Sequence, residues 1–337
     1  MAVTDAPAPP PPPPAGTVET AALRLASLLT GRDSSLADAT GRDLVFESTI
    51  ALRPLARTDA PDDAWAVDGG QSLVADARCL QLLVTRASRV RFQAGRCVLE
   101  EEGQLRAAVL GLGEDSAARA ALQLPGLRDD CAVDANLLRD RWEWHAVEQA
   151  VEQADPGAVV LVDGDLQPDW RIPSGLLAGL LALASERRVV LAGVTKHSSL
   201  SRGGAPLVGQ LEVEATQLFG PRAMWWAPVA RTRSDVGSGL QIVAARLDPD
   251  ARFAFRVDLP ADVDAEAALG ALAALSDDAA FPGYPYPLTV ADRLAACPGW
   301  LKQEVRMQLD DHFDRAGVPP EVRERAFADR HAQMERF

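Results

Sequence analysis

Two aspartates in this chain stand where a carboxylate can do chemistry. Asp68 ends the alternating stretch Ala64 to Asp68 and precedes Gly69-Gly70; Asp163 follows the continuously apolar Ala158 to Val162 and precedes Gly164. Asp-Gly is an ordinary turn at a strand end, so one example carries little. Two behind buried strands, with a helical stretch between them, carry more. Neighbouring strand ends converge in a sheet, so Asp68 and Asp163 are placed to share a metal, while a helix packed across the sheet delivers Glu143. Carboxylates suit Mg2+ and Mn2+. Two such ions held roughly 3.5 to 4 Å apart activate water and stabilise the leaving oxygen of a phosphodiester.

Three glutamates compete on the helical stretch Asn136 to Ala154: Glu143, Glu148 and Glu152. At about 100° per residue, Glu143 shares an arc with Val147, Ala150 and Ala154, the small apolar face that meets a sheet. Glu148 and Glu152 fall with Arg141 on the polar arc. A carboxylate on a buried face needs a cation, a metal or a proton. A salt bridge to Arg139 is the plainer way to satisfy Glu143.

The elements that position these groups follow from periodicity. Thr17 to Thr30 reads as an amphipathic helix, and Arg42 to Asp63 as turn-rich and polar. After the strand Ala64 to Asp68 come strand candidates Cys79 to Ala87, Arg89 to Gln93 and Leu105 to Leu112, an antiparallel meander. Asp155-Pro156-Gly157 stops the helix that follows. Strand Ala158 to Val162, helix Ser174 to Arg187 and strand Val189 to Val194 alternate as in a parallel sheet. A polar loop begins at Lys196. Later strands fall near Met224 to Ala230, Leu240 to Arg246 and Phe253 to Val257. Helices are expected at Val263 to Leu275, Thr289 to Ala296 and from Pro320 toward Arg336.

The order of these parts is RNase H-like: aspartate, meander, glutamate-bearing helix, second aspartate, late carboxylate on a helix. Ala66-Val67-Asp68-Gly69-Gly70 resembles the Asp-Gly-Ser element that opens the NurA nuclease domain, with glycine in place of the serine. Val160 to Leu166 is similar to that family's second aspartate motif, and Arg139 to Ala146 to its Arg-x-x-x-Glu helix around Glu143. Val194 to Ser198 resembles its lysine-bearing strand end. Gly283 to Asp292 resembles its Tyr-Pro motif, with Asp292 where relatives have histidine. The similarity spans Trp65 to Ala296.

The resemblance implies an α/β fold: an RNase H-like (PIWI-like) mixed sheet flanked by helices, with added strands and C-terminal helices. It implies Asp68, Glu143, Asp163 and Asp292 as metal ligands for Mn2+, with Mg2+ possible, and Lys196 and Tyr284 as further catalytic groups. Asp292 can hold Mn2+ or orient water but cannot act as an imidazole base at neutral pH. Its plainer role is to sit in the first turn of a helix capped by Thr289. Lys196, one of two lysines in the chain, can meet the scissile phosphate as a point charge. Tyr284 can donate to a phosphate oxygen. Lys196, His197 and Arg202 form the expected DNA-binding loop, with donors suited to the backbone rather than to bases. Trp142, Trp144, Trp225 and Trp226 can stack on unpaired bases, although such residues are more often core.

Composition bounds these readings. The 337 residues are 47% hydrophobic with a net charge of −14, so bulk electrostatic coating of nucleic acid is excluded and any DNA contact is local. Carboxylates that hold cations are themselves negative, so acidity is compatible with a nuclease. Cys79, Cys97, Cys131 and Cys297 are widely spaced, without zinc or disulfide patterning. The start carries six prolines, Pro9 to Pro14, and no secretory pattern. Residues 1–16 are expected to be a disordered tail and 17–337 a single NurA-like nuclease domain with N- and C-terminal helical extensions, cytoplasmic and not membrane-bound.

By resemblance, the activity is a metal-dependent 5′ to 3′ DNA exonuclease and single-strand endonuclease. It would work as a homodimer with a HerA-like hexameric ATPase in DNA end resection. Two other readings stay open: a sugar-kinase or actin-like ATPase, whose first strand also ends in aspartate and glycines, and a catalytically impaired scaffold of the same fold. Gly111-Leu112-Gly113 is too short for a dinucleotide fingerprint.

Overall fold

The structure, a computed structural model, describes residues 16–31, 33–111, 113, 115–124, 126–127, 130–233, 239–328 and 334. The expected proline tail lies outside them, save for Gly16. Helix α1 (Val18–Thr30), capped by the Thr17 hydroxyl, buries none of its residues. The polar stretch that follows holds three short strands, β1 (Leu36–Asp38), β2 (Leu44–Phe46) and β3 (Arg53–Pro54).

Two long antiparallel strands form the centre, β4 (Asp63–Asp76) and β5 (Leu80–Gln93). Both correct the sequence reading. β4 does not stop at Asp68 but runs on through Gly69-Gly70, and β5 joins the two pieces expected at Cys79 to Ala87 and Arg89 to Gln93. An unforeseen strand, β6 (Arg96–Glu102), precedes β7 (Arg106–Gly111).

Helices α2 (Asp115–Leu122) and α3 (Ala135–Gln153) lead to β8 (Val159–Asp163), α4 (Ser174–Arg187) and β9 (Val190–Thr195). Asp134 caps α3 by accepting from the Leu137 amide at 2.9 Å. The loop expected after Lys196 contains strands β10 (Leu200–Arg202) and β11 (Ala205–Pro206) and then helix α5 (Leu207–Phe219).

Strands β12 (Trp225–Thr232), β13 (Leu240–Arg246) and β14 (Phe255–Pro260) precede α6 (Ala265–Ala274), α7 (Tyr286–Ala295), α8 (Gly299–Arg315) and α9 (Pro320–Phe327). The expected continuation of the last helix beyond Ala328 lies outside the described residues, Met334 apart. No helix among the described residues is long and apolar enough to cross a membrane.

The large sheet has the order β2-β12-β13-β14-β9-β8-β4-β5-β6, with β3 beside β12 and β7 beside β5. Pairing is parallel between β4, β8 and β9 and antiparallel elsewhere. Alternate residues of the central strands feed two cores. Trp65, Val67, Val160 and Val162 pack beneath α3 and α4. Ala64, Ala66, Val159 and Leu161 pack with α6 and α7. Strands buried on both faces read as continuous apolar runs, which is why β8 was legible.

Candidate metal centre

The parallel pairing of β4 with β8 ends at Val67 opposite Val162, so Asp68 and Asp163 are the next residues of adjacent strands. Val67 and Val162 face α3, so by the period of a strand the two aspartates face the other side, where α7 lies. Asp292 on α7 completes the group: one carboxylate oxygen from each of Asp68, Asp163 and Asp292 lies within 4.8 Å of the others.

Close approach of α7 depends on missing side chains. A Cβ on Gly70 would lie 1.8 Å from the Ala295 carbonyl oxygen. On the neighbouring strand, the Ser88 hydroxyl donates to the Ala291 carbonyl at 2.7 Å and Arg86 Nε to that of Ala295 at 3.3 Å. The helix is thereby fixed at the turn that carries Asp292. It begins at Tyr286 with Pro287 in its first turn, so Thr289 is not its cap and Asp292 lies in the second turn, not the first. The helix-start role for Asp292 is therefore set aside.

Lys196, just past β9, donates to Asp163 Oδ2 at 2.7 Å and to Asp292 Oδ1 at 2.9 Å, and its ammonium lies 5.0 Å from the centre of the Tyr284 ring. Burial pulls the Lys196 pKa down, but the bonds and charges of Asp163 and Asp292 outweigh it and the net shift is upward. Asp68 has no such partner. Burial first, then the charges of Asp163 and Asp292, push its pKa up to about 7. Tyr284 is 2% exposed, with its hydroxyl buried against Asp163. Burial and the adjacent Asp163 push that phenol up as well. Three crowded carboxylates fit a hard divalent cation bound through oxygen, which would take the place that the Lys196 ammonium holds between Asp163 and Asp292.

Glu143 arrives from the opposite face. It is 8% exposed on the sheet side of α3, as its helical position implied, whereas Glu148 and Glu152 are exposed. A Cβ on Gly69 would lie 2.7 Å from Glu143 Oε2, so the paired glycines clear space for one helix on each face. Burial, then the charge of Asp68, raises the Glu143 pKa well above its ordinary value. Arg139 forms the expected ion pair with Glu143 at 3.8 Å and also hydrogen-bonds Asp140. Glu143 borders the three-aspartate group and is not among its 4.8 Å members.

The expected loop divides. His197 is exposed beside Lys196. Arg202 lies on β10 and pairs with Glu214 of α5. Trp142, Trp144, Trp225 and Trp226 are all buried, the core alternative rather than stacking platforms. A network that sequence reasoning missed holds the segment after Asp163. Arg256 and Asp258, neither with exposed side chain, pair at 2.8 Å, and Asp258 accepts from the Leu166 amide at 3.3 Å. Arg42 grips the same segment through Asp165 at 2.6 Å.

No family model and no curated protein sequence matches the chain. Among solved structures, the NurA nuclease from Sulfolobus solfataricus aligns at a TM-score of 0.53 and 14% identity, covering 79% of this chain and 88% of that one. The catalytic domain of human Endonuclease V aligns at 0.38 and 17% identity over 91% of this chain and 100% of that one. Argonaute from A. aeolicus aligns at 0.34 and 10% identity, covering 70% and 28%. The first of these establishes a shared fold, the RNase H-like mixed sheet flanked by helices.

Proposed function

We propose that this chain is a NurA-type deoxyribonuclease that hydrolyses phosphodiesters with the help of Mn2+ or Mg2+ at Asp68, Asp163 and Asp292. The observation that carries this reading is the convergence of those carboxylates, from β4, β8 and α7, within 4.8 Å of one another beside Lys196. A divalent cation bound there supplies Lewis acidity, activating water and offsetting charge on the phosphoryl group.

The chain's own residues orient the substrate. Lys196 carries three donors on a flexible stem and can exchange a carboxylate oxygen for a phosphate oxygen. Tyr284 holds its proton at every working pH and is a donor to the same phosphate. Glu143, across the strand from Asp68, is an outer carboxylate that can serve a second ion. His197 supports the strand leaving the site. The NurA likeness motivates the finer reading: 5′ to 3′ exonuclease and single-strand endonuclease activity, as a cytoplasmic homodimer with a HerA-like hexameric translocase, in DNA end resection.

Labelled linear duplex and single-stranded DNA, incubated with the purified chain and Mn2+ with and without the translocase, test this. Cleavage by the wild type that is lost in Asp68→Asn and Asp163→Asn supports the reading, and comparison of 5′ and 3′ labels gives the polarity. Intact DNA under every condition overturns it. DNA and translocase binding without cleavage points to a scaffold.

A further inference from the structure

Beside the metal centre, a cleft of about 550 Å3 opens between the end of the sheet and α5. Lys196 lines both the cleft and the carboxylate group, which makes them continuous. Phe253 and Phe281, 54% and 45% exposed, line it with large apolar surfaces that are only half covered. Phe281 meets Tyr284 edge to face at 5.8 Å, so its wall is braced against the metal centre itself.

The polar lining argues against a phosphate in this cleft. Lys196 turns its ammonium out of the cleft toward Asp163 and Asp292, where the phosphate is held, Arg256 is paired to Asp258, and Glu212 adds a carboxylate. A flat, uncharged, partly polar group fits better. At the floor, Thr195 and Arg256 pair across β9 and β14; Arg256 Nη1 lies 3.8 Å from Asp165, and the Thr195 hydroxyl is buried without a hydrogen-bond partner. Arg256 is only 1% exposed. Two aromatic walls above a floor without a free charge suit a nucleobase.

We infer that this cleft receives an unpaired nucleobase of the strand whose phosphate lies at the carboxylates, stacked on Phe253 and Phe281. The inference rests on the nuclease reading and adds a requirement: the strand must be unpaired next to the cut. Stacking accepts any base, so the cleft selects for single-strandedness and not for sequence.

Affinity for a short oligothymidylate and for its abasic counterpart, measured by fluorescence anisotropy, tests the cleft apart from cleavage. Every protein carries Asp68→Asn, so that the strand stays whole. The base-bearing strand should bind about tenfold more tightly, with Phe253→Ala and Phe281→Ala each removing most of that difference and Phe281→Tyr keeping it. Equal affinity for the two strands, no measurable affinity for either, or a preference that survives both alanine substitutions overturns the inference. Wild-type cleavage without base preference would remove the cleft and leave the nuclease; base preference in a chain that cuts nothing would do the reverse.

Discussion

Asp68 and Asp163 are consecutive in register on adjacent parallel strands, one step beyond the last pair, Val67 with Val162. Strands lie about 4.8 Å apart, so two carboxylates at this level on one face meet unless something separates them. In the folded chain Lys196 hydrogen-bonds Asp163, while burial first, and then the charges of Asp163 and Asp292, strain Asp68 toward a raised pKa.

That strain predicts a pH dependence. The Asp68 pKa rises from 3.8 to about 7 on folding, so between those values the folded state binds more protons than the unfolded. The stability this group contributes is fully present below about pH 4 and is lost as pH rises through about 7. Without metal, Asp68→Asn should therefore be more stable than the wild type at pH 8, by no more than about 4 kcal/mol, and melt higher, with the gap closing toward pH 4. Added Mn2+ should reverse the order by stabilising the wild type alone. Thermal melts across pH, with and without Mn2+, check both.

Lys196→Ala removes the cation between Asp163 and Asp292. It should lower the metal-free melting temperature and reduce single-turnover cleavage at least about tenfold. Lys196→Arg should recover the melting temperature, since it restores a cation between Asp163 and Asp292, but not the rate, because a planar guanidinium does not replace a compact ammonium at the phosphate.

The paired glycines should respond unequally. In Gly70→Ala the new methyl meets the Ala295 backbone at 1.8 Å, and α7 must move with Asp292 on it. Roughly 3 kcal/mol or more should be lost. In Gly69→Ala the nearest atom, at 2.7 Å, is the far end of the Glu143 side chain, which can swing away, while Arg139 Cγ at 3.0 Å and Glu143 Cβ at 3.1 Å require α3 to give slightly, for roughly 1 to 3 kcal/mol. Urea titration separates the two.

Asp258→Ala leaves Arg256 buried without its carboxylate and frees the Leu166 amide. Breaking one side of a buried pair costs about 3 to 5 kcal/mol. Cleavage should fall as well, since the segment after Asp163 loses its anchor. Equilibrium unfolding and cleavage rate, measured together at low temperature, read out both effects.

Sequence made Asp163 and Glu143 legible for physical reasons: an unbroken apolar run marks a strand covered on both faces, and helical period separates Glu143 from Glu148 and Glu152. Gly69-Gly70 misled, because glycine marks a turn as readily as it marks a backbone that helices approach closely. The helix was expected only from Thr289, yet proline in the first helical turn is favourable, and α7 starts at Tyr286. Helix α8 buries only Leu301, so it had no apolar stripe to show. The Arg256–Asp258 network was invisible because Asp258 meets Leu166 across 92 residues of chain.

The central claim is that Asp68, Asp163 and Asp292 together hold a divalent cation. Anomalous diffraction from a crystal soaked in Mn2+ tests it most directly. The account predicts a manganese peak about 2.1 Å from a carboxylate oxygen of each of the three. Full Mn2+ occupancy elsewhere, or no peak between these residues at saturating Mn2+, would contradict it.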